Sequence, residues 1–167
     1  MHVFTSRDTP YLSQHLFDGE LYLITSVTSV PAGATLNIQG KFGDRLFHTV
    51  SSTFQYQSGG PFTLNLIESP TLTDGTISFT APNMNRRSAK THQAQFFADP
   101  TNISGGTIIE TLFLPSSGGG SNAAGGGNTI GTERILKANT DYIIQATNSG
   151  AQNSTLYTSI LFYESGN

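Results

Sequence analysis

Asp141–Thr147 (DYIIQAT) and Ser154–Phe162 (STLYTSILF) decide the fold class. Tyr142, Ile144 and Ala146 fall on one face of the first stretch, and Leu156, Thr158, Ile160 and Phe162 on one face of the second. Apolar residues recurring at every second position, with β-branched and aromatic types between turn-forming residues, mark half-buried β-strands. The same period runs outward through the chain. Glu20–Thr28 (ELYLITSVT) ends at Pro31-Ala32-Gly33 and is followed by Ala34–Gln39, with Leu36 and Ile38 on one face. Phe62, Leu64 and Leu66 alternate after the Gly59-Gly60-Pro61 break, and Asp74-Gly75 leads into Ile77 and Phe79. Gly106–Leu114 is the most apolar strand candidate, and Arg45–Gln57 is long enough to bend between two sheets. No window of twelve residues holds a helical stripe free of breakers; the best helix candidate is Asn85–Phe97.

About ten short strands joined by turns predict an all-β domain over residues 20–167, an antiparallel sandwich or barrel of jelly-roll or related Greek-key type. Composition agrees. Ser, Thr, Gly and Asn supply 69 of 167 residues, and only 19 are charged, about 11% against roughly 25% in an average domain. The absence of cysteine removes disulfide frameworks, thiolate nucleophiles and cysteine-bound metals together. A formal charge of −3 gives no overall positive field for a phosphate backbone, so no nucleic acid is expected as a partner. No apolar run approaches a bilayer span and the start carries no leader pattern, so no membrane partner is expected and the chain reads as soluble where it is made.

Two stretches stand outside the strand pattern. Residues 1–19 read as an extended N-terminal arm, in which Val3, Phe4, Tyr11, Leu12, Leu16 and Phe17 are spread among polar residues. Exposed aromatics either pack on their own domain or cover a neighbouring chain. Leu16 and Phe17 are expected to pack at home. Residues 116–131 form an uncharged glycine-rich segment, expected to be a flexible loop.

Signals for chemistry are sparse. The glycine run lacks the lysine of a phosphate-binding loop, and no Gly-x-Ser-x-Gly elbow occurs. His2, His15, His48 and His92 have no paired spacing and read as surface or strand-edge residues, although His48 could approach Asp44 across a turn. Glu68, Glu110, Glu133 and Glu164 lie in or beside strands and read as solvent-facing. No catalytic residue, metal or cofactor is assigned. The one concentration of charge is Asn83–Lys90 (NMNRRSAK), where Arg86, Arg87 and Lys90 could dock on an acidic surface, because guanidinium forks pair with carboxylates in bidentate geometry.

The motifs Leu66–Thr71 (LIESPT), Asp74-Gly75-Thr76, Asn83–Ser88 (NMNRRS) and Asp99-Pro100-Thr101, then Glu133–Tyr142 (ERILKANTDY), Thr147-Asn148 and Phe162-Tyr163-Glu164, appear in an order that resembles small tailed-phage proteins encoded beside the major capsid protein. The resemblance runs from Phe62 to Glu164, and more weakly over Phe47–Gln57, and the chain departs from it in the insertion Ser116–Gly127 and the extended start. It implies a head decoration, or cement, protein: a non-enzymatic homo-oligomer, dimer or trimer, made in the bacterial cytoplasm and placed on the capsid exterior. Its partner would be the major capsid protein, with Val3, Phe4, Tyr11, Leu12, Arg86, Arg87 and Lys90 as candidate interface residues. The alternative is a carbohydrate- or receptor-binding module of a phage fibre or surface adhesin. A glycan hydrolase with unmarked carboxylates is a third.

Overall fold

Alternating β-branched and aromatic residues fold into two antiparallel sheets, seen in a computed structural model that describes residues 11–57, 61–115, 128–130 (backbone) and 133–166. One sheet runs β1 (Tyr22–Val30), β13 (Ser154–Ser165), β3 (Leu46–Gln57), with β10 (Asn128–Ile130) and β11 (Arg134–Leu136) both on the far side of β3. The other runs β6 (Ile77–Phe79), β7 (Gln95–Ala98), β2 (Thr35–Lys41), β12 (Asp141–Asn148), β4 (Phe62–Glu68), β9 (Thr107–Leu114). A small ribbon pairs β5 (Thr71–Thr73) with β8 (Thr101–Ser104).

Every strand segment named from the period-two pattern is a strand. Arg45–Gln57 differs from expectation: β3 stays within one sheet, bonded to β13 along its length. A bulge between Leu161 and Phe162 absorbs its length.

The core lies where the two sheets face each other. At one end Phe42 stacks on Phe47 at 4.0 Å and Phe47 on Phe162 at 4.6 Å, with Tyr22, Phe96 and Tyr142 around them. At the other end Val30, Leu36, Tyr56, Phe62, Leu114 and Leu156 pack together. Phe62 and Phe162 are fully buried, each contributing about 2–3 kcal/mol of transfer free energy.

One row violates the half-buried pattern. Gln39, Ile143 and Ile67 occupy the outer face of the second sheet in register, yet are 0%, 0% and 8% exposed. The segment 69–106 folds back over them. The Gly75 N–H donates to Gln39 Oε1, Gln39 Nε2 donates to Asp74 Oδ1, and Gly106 lies so close to Ile67 that a Cβ would stand 2.7 Å from its Cγ2.

Asn85–Phe97, the best helix candidate in the sequence, is not helical. That segment is an irregular loop followed by β7, and the chain's one described helix is α1 (Tyr11–Phe17), inside the stretch read as an arm. Gly19 ends it in the left-handed conformation, φ +69°. Its N–H donates to the Leu16 carbonyl and the Glu20 N–H to the His15 carbonyl, the paired bonds of a glycine-terminated helix.

Candidate functional site

Asn83–Lys90 becomes a rigid loop because its polar side chains bond inward. Asn83 Oδ1 accepts from the Asn85 N–H, Asn85 Oδ1 from the Arg87 N–H, and Ser88 Oγ from the Lys90 N–H. The amide groups face the other way. Asn83 Nδ2 donates to the Gly19 carbonyl at 2.7 Å and to the Lys90 carbonyl, while Asn85 Nδ2 donates to the Phe17 carbonyl. Backbone bonds from Leu23 to Pro82 and from Met84 to Leu21 fasten the loop to β1. A Cβ on Gly19 would stand 2.1 Å from Ser88 Oγ, so glycine is required there by space as well as by φ.

The three cations of the loop therefore differ. Lys90 Nζ donates to Glu20 Oε1 at 2.7 Å, and that bond, with help from His15, holds the Glu20 carboxyl below its ordinary pKa. Arg86 and Arg87 are exposed, and neither guanidinium reaches a carboxylate among the described residues. Two apolar side chains of the stapled segments are also exposed: Phe17, whose carbonyl Asn85 holds, at 74% and Met84 at 42%. Phe17 thus departs from its expected packing at home; only Leu16 is partly covered.

Tyr11 and Leu12 lie on α1 and remain 54% and 41% exposed. Tyr11 is nonetheless tied to its own domain: its hydroxyl bonds that of Tyr163 and its ring meets His15 edge-on at 4.6 Å. Val3 and Phe4 lie outside the described residues, as do residues 116–127 of the glycine-rich segment.

Of the acidic residues read as solvent-facing, Glu133 is exposed, Glu68 and Glu110 are partly covered and the Glu164 side chain is buried, and all four are hydrogen-bonded. Glu164, with its side chain 4% exposed, accepts from the Gln93 and Ala94 N–H groups. Glu68 takes Lys137 Nζ and the Tyr142 hydroxyl, while burial pushes the Tyr142 pKa up to about 12. Glu110 pairs with Arg134 at 2.5 Å beside an apolar cavity of about 70 Å³ between the sheets. Glu133 accepts from the Tyr163 hydroxyl at 2.5 Å and meets His48 Nδ1 at 2.9 Å. These two hold its carboxyl below the ordinary range.

His48, at 7% exposure, is buried rather than superficial, and its second nitrogen meets Ser165, so its carboxylate partner is Glu133 and not Asp44. His92 is held by the Ala81 and Ala94 carbonyls. Among the described residues no three His, Asp or Glu side chains converge on a common point.

Sequence reasoning found the Arg86–Arg87 concentration but not its stapling to α1. The signal was present in the Asn-x-Asn spacing, which favours side-chain turns, but the partner carbonyls lie 64 and 68 residues away. No protein-family model matches the chain, and no curated protein matches it.

Proposed function

We propose that the protein is a non-enzymatic cement protein of a tailed-phage head. It would bind the capsid exterior as a small homo-oligomer, with the major capsid protein as its partner. The observation that carries this reading is the preformed loop 82–90, which holds two exposed guanidiniums without carboxylate partners among the described residues, together with the exposed side chains of Met84 and of Phe17, whose carbonyl Asn85 holds. Unpaired arginines on an ordered backbone are suited to an acidic protein surface, because the loop's ordering entropy is already spent before contact. The sequence resemblance supplies the identity of that surface.

We read the fold as a jelly roll. The orders β1-β13-β3-β10/β11 and β2-β12-β4-β9 support that reading, since two interlocked Greek keys give eight strands in two such sheets. Residues 1–10 would continue from α1 as the arm, with Val3 and Phe4 available to a neighbouring subunit.

A specific observation favours a second reading, a module for neutral glycans. The outer face of the second sheet carries the rows Thr35-Thr147-Thr63-Phe113 and Asn37-Gln145-Asn65-Thr111 in register. Phe113 is 59% exposed, and no charge interrupts either row. Amides, hydroxyls and one ring are the groups a sugar needs.

Mixing the purified protein with undecorated heads and following co-sedimentation tests the first reading. Saturable binding is expected; no binding across salt and pH overturns it. A glycan array showing neutral-oligosaccharide binding lost in Phe113→Ala would establish the second.

A further inference from the structure

β1 is an edge strand whose outward side, past Leu23, meets no other strand among the described residues. Its inner neighbour is β13, in register from Tyr22↔Phe162 to Val30↔Ser154. On the other side the Leu23 N–H donates to the Pro82 carbonyl and the Leu21 carbonyl accepts from Met84, so these two residues turn their backbone groups away from β13. In an antiparallel ladder that orientation recurs at every second residue. Thr25, Val27 and Ser29 therefore present their N–H and C=O groups off the edge, beyond the reach of loop 82–84. All three are exposed, Val27 at 64%.

Natural edges are blunted by charge, proline, bulges or shortness. Elsewhere in the molecule those devices are in place. β6 and β11 have three residues each, and β9 carries Glu110 and a bulge against β4. β1 has nine residues, no charge, no proline and no bulge. From Leu21 through Gly40 the chain holds no charged residue at all.

We infer that β1 is a homodimer interface, pairing antiparallel with β1 of a second copy about a two-fold axis at Val27. The inference rests on the homo-oligomer part of the proposed function. In this register Val27 faces Val27 of the second copy, and Thr25 faces Ser29 in both directions. Each free N–H and C=O at the three positions then finds a partner. The register also ends where it should: Leu23, its N–H already given to Pro82, falls opposite Pro31, which has none to give.

The two-fold axis sets Val27 against its own equivalent, so a charge there would meet its like. A neutral strand is the one that tolerates this, and it offers nothing to a charged partner strand. Tyr157 lies beside Val27 on β13, so the axis also joins two Tyr157–Val27 pairs into one apolar strip on the outer face.

Sedimentation equilibrium of the full chain tests this without any capsid. The wild type is expected at twice 17.8 kDa. Val27→Lys sets two ammonium groups at the axis on a solvent-facing position. It should raise the dissociation constant about ten-fold or more while leaving the melting temperature of the monomer unchanged. Val27→Pro removes an outward N–H at a place where an edge strand tolerates proline and should act likewise, whereas Ile135→Lys, on another exposed strand position, should leave the dimer intact. A wild type that is monomeric or trimeric overturns the inference, as does a Val27→Lys protein that dimerises as before. A monomer that still binds heads would overturn this interface alone, and a dimer that ignores heads would overturn the cement reading alone.

Discussion

The ring of Tyr163 stacks on the imidazole of His15 with centroids 4.1 Å apart and 16° between planes. His48 stacks on the same ring at 4.3 Å, so a tyrosine of β13 sits between a histidine of the helix and a histidine of β3. Helix α1 buries no residue of its own, and seven residues are too few to be helical alone in water. Among the described contacts, this stack, the Tyr11–Tyr163 hydroxyl bond and the Asn85–Phe17 bond hold it on the domain.

Tyr163→Leu removes both stacks and both hydroxyl bonds. The expected cost is about 2–4 kcal/mol, and amide exchange in Tyr11–Phe17 should accelerate more than in β12. Unchanged exchange in the helix would show that other contacts hold it.

Glu133 gives the pH dependence a sign. The Tyr163 hydroxyl, and after it His48, keep its carboxyl below the ordinary value of 4.5. A carboxyl with a lowered folded pKa contributes stability that is present above the unfolded value and lost as pH falls through the folded one. Glu20 and Asp74 act in the same direction through Lys90 and Lys41. Burial raises the Asp141 pKa, so that residue opposes them and gains on protonation. The melting temperature should therefore fall below about pH 4.5, and Glu133→Gln should flatten part of that fall. An acid limb identical in the variant would remove Glu133 from the account.

Asn83→Ala deletes an amide that holds two carbonyls and a carbonyl oxygen that holds the Asn85 N–H. The expected loss is about 1–3 kcal/mol by thermal melting. Attachment to heads should weaken as well, although no cation has been touched. Weaker melting with undiminished attachment would separate loop order from docking.

The strands were legible in the sequence because period-two alternation is local, whereas which strand pairs with which was not, since β3 and β13 meet across about 100 residues and periodicity carries no connectivity. Nor was the helix. Seven residues at Tyr11–Phe17 show no repeated stripe, and their order comes from Tyr163, 152 residues from Tyr11. The buried outer row at Ile143 was equally hidden, since its cover is supplied by the distant turns at Gly75 and Gly106. Arg86 and Arg87 were visible as charge, while the commitment of Lys90 to Glu20 depends on a contact across 70 residues.

Arg86→Glu combined with Arg87→Glu alters two exposed side chains without carboxylate partners among the described residues, so stability should change by no more than about 0.5 kcal/mol. If docking is ionic, attachment to heads should fall and its dependence on salt should shrink. Equal attachment at every ionic strength would assign both arginines to the solvent.

Electron cryomicroscopy of undecorated heads mixed with the purified chain tests the cement reading most directly. The prediction is ordered density on the outside of the shell, repeated at equivalent lattice positions, with the Arg86–Arg87 loop turned toward capsid protein. Heads that remain bare at saturating protein, or density in which that loop faces the solvent, would contradict it.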